Sequence, residues 1–320
     1  MKACIDIGGT KVSVSLVAAE SGAAPRADWF LARRAEPTAT TGTPDALAQQ
    51  ILRLLAAACA EVGTRLDALQ AVGVASCGPF VLRDGLIALC APNLCGGVAG
   101  PARGLPNDWT SAPLEAPLRA VFGDRLQLEN DGIAALQAER RWGALQDLDH
   151  CAYLTWSTGI GFGLCVGGRV LRGKNGNAGH AGHMLVSDGD DPLALCGCGN
   201  VGDVEGLVAG NAIARRFAPQ GFADAAALMA FAQAGDATAL ALVDELCRVM
   251  GRTLYNLAVT LDLQRISIGG SVFWHHQALL LHRLQAQITG RLAALTDGFT
   301  LVPAGLGERV GDFAALALVS

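Results

Sequence analysis

Apolar residues in this chain form short runs that alternate with stretches of helical spacing. Residues 3–7 form a largely apolar run that ends at a Gly-Gly turn and continues into an alternating run, which predicts a β-hairpin. Residues 29–35 predict a third strand, and residues 43–62 start with Thr-Pro and predict a helix with one apolar face. A further strand is predicted over residues 69–75.

The hairpin pattern returns in the second half of the chain, where residues 152–163 again predict a strand, a glycine turn and a strand. This repetition predicts two lobes, each of which begins with a hairpin. Residues 223–261 are alanine-rich and predict a helical region whose apolar positions belong to a core. Residues 264–272 predict a strand that runs into a second Gly-Gly turn, and the apolar residues 313–319 predict a final helix that returns to the N-terminal lobe.

Composition narrows the class of protein. The chain has 320 residues, 51% hydrophobic and 17% charged, and exceeds the size of a single core, so two lobes are expected. A net charge of −5 without a dense Lys/Arg cluster predicts no nucleic-acid partner. Ten irregularly spaced cysteines are not a disulfide framework, and no signal pattern or bilayer-length apolar run is present. We therefore expect a cytoplasmic protein without a membrane segment, and the oligomeric state stays open, a homodimer included.

Residues 176–205 concentrate the unusual chemistry of the chain in His180, His183, Cys196, Cys198, Asp203 and Glu205. Imidazole and thiolate are the ligands that a tetrahedral zinc ion prefers, and a carboxylate can complete the set. His183, Cys196, Cys198 and Asp203 are therefore candidate zinc ligands, with glycines between them that allow a short loop to fold back on an ion. The alternative is a glycine-rich surface loop in which two cysteines occur by chance.

Further candidates lie at the predicted strand ends. The string D-I-G-G-T-K at residues 6–11 offers backbone N–H groups to a phosphate and the Asp6 carboxylate to a phosphate-bound magnesium ion. Asn130-Asp131 stands between a strand and a helix, where these residues alone are better explained as an ordinary N-cap. Gly269-Gly270 is a candidate ligand-binding turn, but an ordinary strand-to-helix turn explains the two glycines about as well.

Taken together, these motifs resemble those of the ROK family of sugar kinases (repressors, open reading frames, kinases). The family patterns E-x-G-H and C-x-C-G-x-x-G-C-x-E correspond to H-A-G-H at residues 180–183 and C-G-C-G-N-V-G-D-V-E at residues 196–205. Its second phosphate loop, G-T-G-I-G-x-G, resembles residues 157–163, with serine in place of the first glycine. Two positions depart from the family: His180 replaces a sugar-binding glutamate, and Asp203 replaces the third zinc cysteine.

The resemblance implies a role for each matching residue. Asp131 is the expected catalytic base, and Asp6 is the expected magnesium ligand. The expected sugar contacts are Gly78, Asn93, Asn130, Asp131, His180, His183 and Glu205. The expected ATP contacts are Gly8, Gly9, Thr10, Lys11, Thr158, Gly159, Gly161, Gly269 and Gly270. A structural zinc ion is expected at His183, Cys196, Cys198 and Asp203, and its occupancy is open because Asp203 replaces a cysteine.

The resemblance also implies an α/β fold of two actin-like (ribonuclease H-like) lobes with a central cleft. Residues 1–122 and 303–320 are expected to form the N-terminal lobe. Residues 123–302 are expected to form the C-terminal lobe, with the catalytic aspartate, the second phosphate loop, the zinc-like loop and the adenosine site. The expected reaction is ATP-dependent phosphorylation of a hydroxyl, by default the 6-hydroxyl, of a hexose or N-acetylhexosamine.

Three other functions are alternatives to an ATP-dependent sugar kinase. A sugar-responsive regulator of the same family needs an N-terminal helix-turn-helix, and Asp6 lies too early in the chain to leave room for one. A catalytically silent sugar-binding relative would lose the base or the phosphate loops, which are present here. Polyphosphate is an alternative donor, against which the negative net charge weighs. His180 predicts a sugar preference that differs from that of the family's glucokinases.

Overall fold

The computed structural model describes residues 1–18, 26–98 and 104–320. Over these residues the chain forms two compact units, each with its own hydrophobic core. Unit 1 comprises Met1–Trp142, Arg172–Ala178 and Arg309–Ser320. Unit 2 comprises Gly143–Leu171 and Gly179–Glu308.

The elements are numbered in chain order. The strands of unit 1 are β1 Lys2–Ile7, β2 Lys11–Val17, β3 Phe30–Pro37, β4 Ala71–Ser76, β5 Phe80–Arg83, β6 Leu86–Leu89, β7 Ala112–Pro113 and β8 Leu126–Asn130. The helices between them and after them are α1 Ala46–Glu61, α2 Glu115–Phe122 and α3 Asp131–Trp142. Unit 2 has the strands β9 Cys151–Trp156, β10 Ile160–Val166, β11 Arg169–Val170, β12 Arg265–Gly269 and β13 Thr300–Pro303. Its helices are α4 Val204–Val208, α5 Gly210–Phe217, α6 Ala225–Gln233, α7 Ala237–Leu261, α8 Ser271–Trp274, α9 Gln277–Ala286 and α10 Ala293–Thr296, and α11 Val310–Ala317 returns to unit 1.

The main sheet of unit 1 has the strand order β3-β2-β1-β4-β8. The first three strands are antiparallel and contain the predicted hairpin, whereas β4 and β8 run parallel to β1. Helix α1 packs against β2 and β3, and α11 packs against β1 and β4. Because helices cover the sheet, its central strands are nearly continuous apolar runs, while the edge strand β3 alternates between half-buried and exposed residues. A smaller antiparallel sheet has the order β5-β6-β7.

Unit 2 repeats this arrangement with the order β11-β10-β9-β12-β13. Strands β9, β10 and β11 are antiparallel, and β12 and β13 run parallel to β9. Each unit therefore begins with a hairpin and continues into parallel strands, as the repeated pattern in the sequence predicts.

The helical region predicted over residues 223–261 consists of two helices, α6 and α7. The chain breaks because Gly235 adopts a φ of 89° and Asp236 caps α7 by accepting a hydrogen bond from Ala239 N at 2.8 Å. Within the described residues no single helix is both long and apolar enough to cross a bilayer, although α6 and α7, which are bent by 119° at the break between them, meet the length and hydropathy requirement as a pair. Their apolar residues pack into the core of unit 2.

The boundary between the units differs from the predicted one at residues 122 and 123. Strand β8 pairs with β4, with Asn130 opposite Ser76, so β8 and the following α3 belong to unit 1. Asp131 therefore lies in unit 1 and not in the C-terminal lobe where the sequence analysis placed it. At the other end, β13 pairs with β12, which extends unit 2 beyond residue 302 to Glu308.

Candidate active site

The candidate base lies where the parallel strands of unit 1 end. Ile7 of β1 and Asn130 of β8 are each in register with Ser76 of β4. Asn130 is buried, and its Nδ2 donates to Ser76 O at 3.4 Å while its Oδ1 accepts from Gly132 N at 3.0 Å. Gly132 N also donates to Asp131 Oδ1 at 2.8 Å. The carboxylate of Asp131 is thus oriented at the start of α3.

Carboxylates interact strongly in this part of unit 1. The pKa of Asp6 is raised to about 7, chiefly by burial and then by the charges of Asp131 and Asp312. Lys11 and Arg33 lower the same pKa, and Arg33 is paired with Asp312 through two hydrogen bonds of 2.5 and 2.9 Å. A buried carboxylate that is costly to ionise among other carboxylates is a place that a cation would stabilise.

The first glycine turn is closed by backbone bonds and packs against Asn93. Gly8 N donates to Lys11 O at 2.8 Å, and Thr38 Oγ1 donates to Gly8 O at 2.9 Å. A Cβ on Gly9 would lie 2.7 Å from Asn93 Nδ2. The structure therefore brings a candidate sugar ligand, the exposed Asn93, onto the candidate phosphate-binding turn.

The remaining candidates of unit 1 lie at the ends of the same strands. Thr10 and Lys11 are exposed at the start of β2. Gly78 lies in the half-buried turn between β4 and β5, where the Gly78–Pro79 peptide bond is cis. The chain then passes through β5 and β6 before it reaches Asn93.

In unit 2 the candidate nucleotide residues form one group around the turn between β9 and β10. Ser157 N donates to Gly159 O at 3.0 Å and closes the turn that carries Thr158. Gly270 follows β12 with a φ of 86° and lies so close to this turn that a Cβ would come within 2.5 Å of the Trp156 backbone. Only glycine meets both conditions, so the contact fixes the second Gly-Gly turn beside the second phosphate turn.

Two residues that the sequence analysis missed belong to the same group. Gly210 N, at the start of α5, donates to Ser157 O at 2.8 Å, and Ser271 Oγ lies 2.9 Å from Ser157 Oγ. The sequence signals were weak: a glycine before a helical stretch, and a serine directly after Gly269-Gly270. Gly161 lies further along, within β10.

The four candidate zinc ligands form a cluster in unit 2. Donor atoms of His183, Cys196, Cys198 and Asp203 all lie within 4.8 Å of one another. His183 Nδ1 is 3.2 Å from Asp203 Oδ2 and 3.6 Å from Cys196 Sγ, and Cys198 Sγ is 3.6 Å from Asp203 Oδ2. Zinc–nitrogen and zinc–oxygen bonds are about 2.0 Å long and zinc–sulfur bonds about 2.3 Å. In a tetrahedral site these lengths place nitrogen and oxygen about 3.3 Å apart, and sulfur about 3.5 Å from nitrogen or oxygen. The three measured separations therefore match the edges of a tetrahedral metal site.

The electrostatics of the cluster also favour a cation. Asp203 is fully buried, and because its Oδ1 accepts from Gly206 N at 2.7 Å and caps α4, its Oδ2 faces the cluster. The hydrogen bond with Asp203 raises the pKa of His183 against the opposing effect of burial. Burial, followed by the charge of Glu205, raises the pKa of Cys196 well above the ordinary thiol value. The shift of the His183 pKa shows that positive charge is favoured on this ring, and the shift of the Cys196 pKa shows that a thiolate without a cation is disfavoured.

Glu205 connects this cluster to the second phosphate turn. Its Oε2 accepts from Ile160 N at 3.0 Å, and its Oε1 lies 3.5 Å from Cys196 Sγ. His180 lies on the other side of His183, with ring centroids 6.1 Å apart and an angle of 23° between the ring planes. A change at the cluster can therefore reach both His180 and the β10 end of the turn through direct contacts within unit 2.

The sequence and the structure of this chain both resemble those of known proteins. The model of the ROK family matches residues 2–320. An N-acetylmannosamine kinase from Escherichia fergusonii is 35% identical over 271 residues, which cover 84% of this chain and 82% of that kinase. The ROK hexokinase from Thermus thermophilus superposes with a TM-score of 0.75 at 31% identity, over 99% of this chain and 97% of that one. A ROK glucokinase from Streptomyces griseus, in complex with glucose and AMPPNP, gives a TM-score of 0.71 at 26% identity, over 98% and 97% of the two chains.

The matches define the class of protein as a sugar kinase, a phosphotransferase with an alcohol group as acceptor. Within that class, the chain belongs to the ROK family. The predicted α/β fold of two actin-like (ribonuclease H-like) lobes is confirmed, in agreement with the strand order that the two units share. The roles of individual side chains stay predictions.

Proposed function

We propose that this chain transfers the γ-phosphoryl group of ATP to the 6-hydroxyl of a hexose or N-acetylhexosamine, with N-acetylmannosamine as the preferred acceptor. The observation that carries the proposal is the Asn130-Asp131 pair at the strand ends of unit 1, on the sheet that also carries Asp6 and the first glycine turn. This edge offers a base, a cation ligand and a phosphate-binding turn. The family resemblance supports the choice of the 6-hydroxyl.

Asp131 would act as the base. One of its carboxylate oxygens is held by the N–H of Gly132, so the carboxylate is oriented before a substrate binds. A sugar hydroxyl that donates to Asp131 would be aligned and would lose its proton as its oxygen attacks the phosphorus atom. Asn130 is buried and bonded to backbone groups, and it supports this arrangement by holding the strand end. Asn93 is exposed against Gly9 and would meet the sugar hydroxyls directly.

ATP, and not polyphosphate, is the donor that the residues of unit 2 support. The family resemblance assigns the Gly269-Gly270 turn, which packs closely on Trp156, to adenosine, and a polyphosphate chain carries no adenosine. The Streptomyces griseus glucokinase that resembles this chain was solved with AMPPNP. Magnesium would be held by Asp6, whose pKa is raised by burial and then by the charges of neighbouring carboxylates, which a divalent cation would balance. When bound, the ion neutralises charge on the phosphates.

Zinc fits the cluster of His183, Cys196, Cys198 and Asp203, because the donor types and their separations match a tetrahedral site. Its role would be structural, fixing the loop that leads to Glu205. With Nδ1 of His183 facing the cluster, Nε2 is the nitrogen through which this residue would meet a sugar hydroxyl.

Two observations support N-acetylmannosamine as the acceptor. The Escherichia fergusonii relative that shares 35% of its aligned residues is named an N-acetylmannosamine kinase. In addition, His180 replaces the glutamate of the family pattern, and a neutral imidazole has one donor and one acceptor, so it cannot accept two hydrogen bonds. Mismatched buried polar groups can reject a substrate by as much as about 10⁴-fold, so a glucose preference is not expected.

The test is a kinase assay over a panel of acceptors: glucose, mannose, fructose, N-acetylglucosamine, N-acetylmannosamine and allose. Each is measured with ATP and with polyphosphate in the presence of Mg²⁺, and the product is located by NMR. The expected result is the highest kcat/KM for N-acetylmannosamine with ATP and a phosphate on O6. ADP release with none of the sugars, or turnover only with polyphosphate, would contradict the proposal.

A further inference from the structure

The segment Arg172–Ala178 belongs to unit 1, although the residues directly before and after it, Leu171 and Gly179, belong to unit 2. The chain thus leaves unit 2 for seven residues, lies against unit 1 and returns. Such an excursion persists only if contacts hold it, because each ordered residue costs conformational entropy. Two anchors within unit 1 supply those contacts.

The first anchor joins Asn177 to Phe80 by a pair of hydrogen bonds. Phe80 N donates to Asn177 Oδ1 at 2.7 Å, and Asn177 Nδ2 donates to Phe80 O at 2.7 Å. Phe80 starts β5, the edge strand of the small sheet, so its outward N–H and C=O face away from β6. The asparagine amide satisfies both groups as a neighbouring strand would.

The second anchor joins Arg172 to Glu129. Arg172 Nε donates to Glu129 Oε1, and the glutamate side chain is only 16% exposed. Burial raises the pKa of Glu129, and the paired guanidinium opposes that shift. Glu129 directly precedes Asn130 and Asp131 in β8. This end of the segment is thus fixed to the strand that presents the candidate base.

The first anchor also holds candidate sugar ligands. Gly78 lies two residues before Phe80, and Asn93 lies four residues after Leu89, the partner of Phe80 in the β5–β6 hairpin. Asn177 therefore binds the β5–β6 hairpin at the end where the chain leads to Gly78 and to Asn93. Phe80 itself is 2% exposed, and a Cβ on Gly176 would lie 3.3 Å from its ring, so the segment and the hairpin base are packed with little space between them.

We propose that Arg172–Ala178 is a strap that positions the sugar-binding residues of unit 1, and that Asn177 is the positioning residue on which it depends. The strap sets the base of the β5–β6 hairpin through Asn177, and hence Gly78 and Asn93. Arg172 holds the other end on β8. This inference rests on the proposed function, in that the residues positioned are those assigned to the sugar.

The test replaces Asn177 with leucine, which keeps the branched skeleton of four heavy atoms and removes both hydrogen bonds. Asn175→Leu, two residues away in the same segment, is the matched control. Sugar affinity is measured by calorimetry with N-acetylmannosamine and the other sugars of the panel, and nucleotide affinity is measured with AMPPNP. We expect Asn177→Leu to weaken sugar binding about tenfold, because two part-buried backbone groups lose their partner, and to leave nucleotide affinity and the control unchanged.

Unchanged sugar affinity in Asn177→Leu would overturn the proposal, as would an equal loss of nucleotide affinity, which indicates a general structural role. If the leucine variant does not fold, Asn177→Asp replaces it. That variant keeps the acceptor for Phe80 N but sets a carboxylate oxygen against Phe80 O, so the same loss of sugar affinity is expected. Calorimetry reports binding without turnover, so a wild-type protein that binds sugar but releases no ADP contradicts the kinase proposal alone.

Discussion

His180 is the residue at which this chain departs most clearly from the sugar pocket of its family. The glutamate of the family pattern can accept hydrogen bonds from two hydroxyls, whereas a neutral imidazole accepts one and donates one. The ring of His180 also stacks on His183, whose Nδ1 faces the metal cluster. The replacement therefore changes the hydrogen-bond pattern beside the metal cluster.

We predict that His180→Glu raises kcat/KM for glucose relative to N-acetylmannosamine by at least about tenfold, because the carboxylate restores the double acceptor. The measurement is the ratio of specificity constants for both sugars in wild type and variant. His282→Glu, a substitution of an exposed histidine, is the control. A wild type that already prefers glucose, with a ranking that His180→Glu does not alter, would show that His180 does not determine specificity.

Whether side chains meet could be predicted when they are close in sequence. His183 and Asp203 are 20 positions apart in a glycine-rich loop, and their assignment to one metal site, from their ligand types and the glycines between them, agrees with the observed cluster. Asn177 and Phe80 are 97 positions apart, and the sequence N-G-N-A around Asn177 shows no sign of the contact, because an asparagine in a glycine-rich segment is typical of any turn. The contact of Ser271 with Ser157 was not predicted either, because the two residues are 114 positions apart.

At the scale of elements, the hairpins were predictable because alternation and glycine turns are local signals. The placement of β8 was not, since pairing with β4 joins residues more than fifty positions apart and no periodicity encodes a partner strand. That single pairing moves α3 and Asp131 into unit 1. The break between α6 and α7 could have been read from Gly235 followed by Asp236, a helix stop and an N-cap side by side.

The loop between His183 and α4 is the element whose order we expect to depend on zinc. We predict about one zinc ion per chain in purified protein and at least about tenfold tighter zinc binding in Asp203→Cys, because a third thiolate is a better zinc ligand than a carboxylate. Elemental analysis gives the content, and competition with a chelator gives the affinity.

Asp203 both caps α4 and belongs to the metal cluster. A second N-cap that lies outside the cluster allows the two roles to be separated. Asp224 caps α6 in the same way, with its side chain accepting from Ala227 N at 2.8 Å, and takes no part in the cluster. Asp224→Ala should cost about 1 kcal/mol of stability and keep its zinc, whereas Asp203→Ala should lose the ion as well as the cap. Sub-stoichiometric zinc that added metal does not restore would count against the site.

At the scale of the whole molecule, the two units share a strand order but carry different chemistry. Unit 1 carries the candidate base, the candidate magnesium ligand and the first phosphate turn. Unit 2 carries the second phosphate turn, the Gly269-Gly270 turn and the metal cluster. The family match extends over residues 2–320 and therefore includes both units.

The central claim, that Asp131 is the base of a sugar kinase, is tested most directly by Asp131→Asn. Asparagine can still accept the hydrogen bond from Gly132 N and from a sugar hydroxyl, so the strand end and sugar binding should persist. Loss of the base should lower kcat by about 10²–10⁴-fold. Asp124→Asn, at a fully exposed acid of the same unit, should leave kcat unchanged.

The measurement is ADP release with N-acetylmannosamine and ATP, alongside calorimetric sugar binding to the same proteins. We expect a kcat lowered by at least about 10²-fold in Asp131→Asn with a sugar Kd close to that of the wild type. Turnover by Asp131→Asn near the wild-type rate would contradict it.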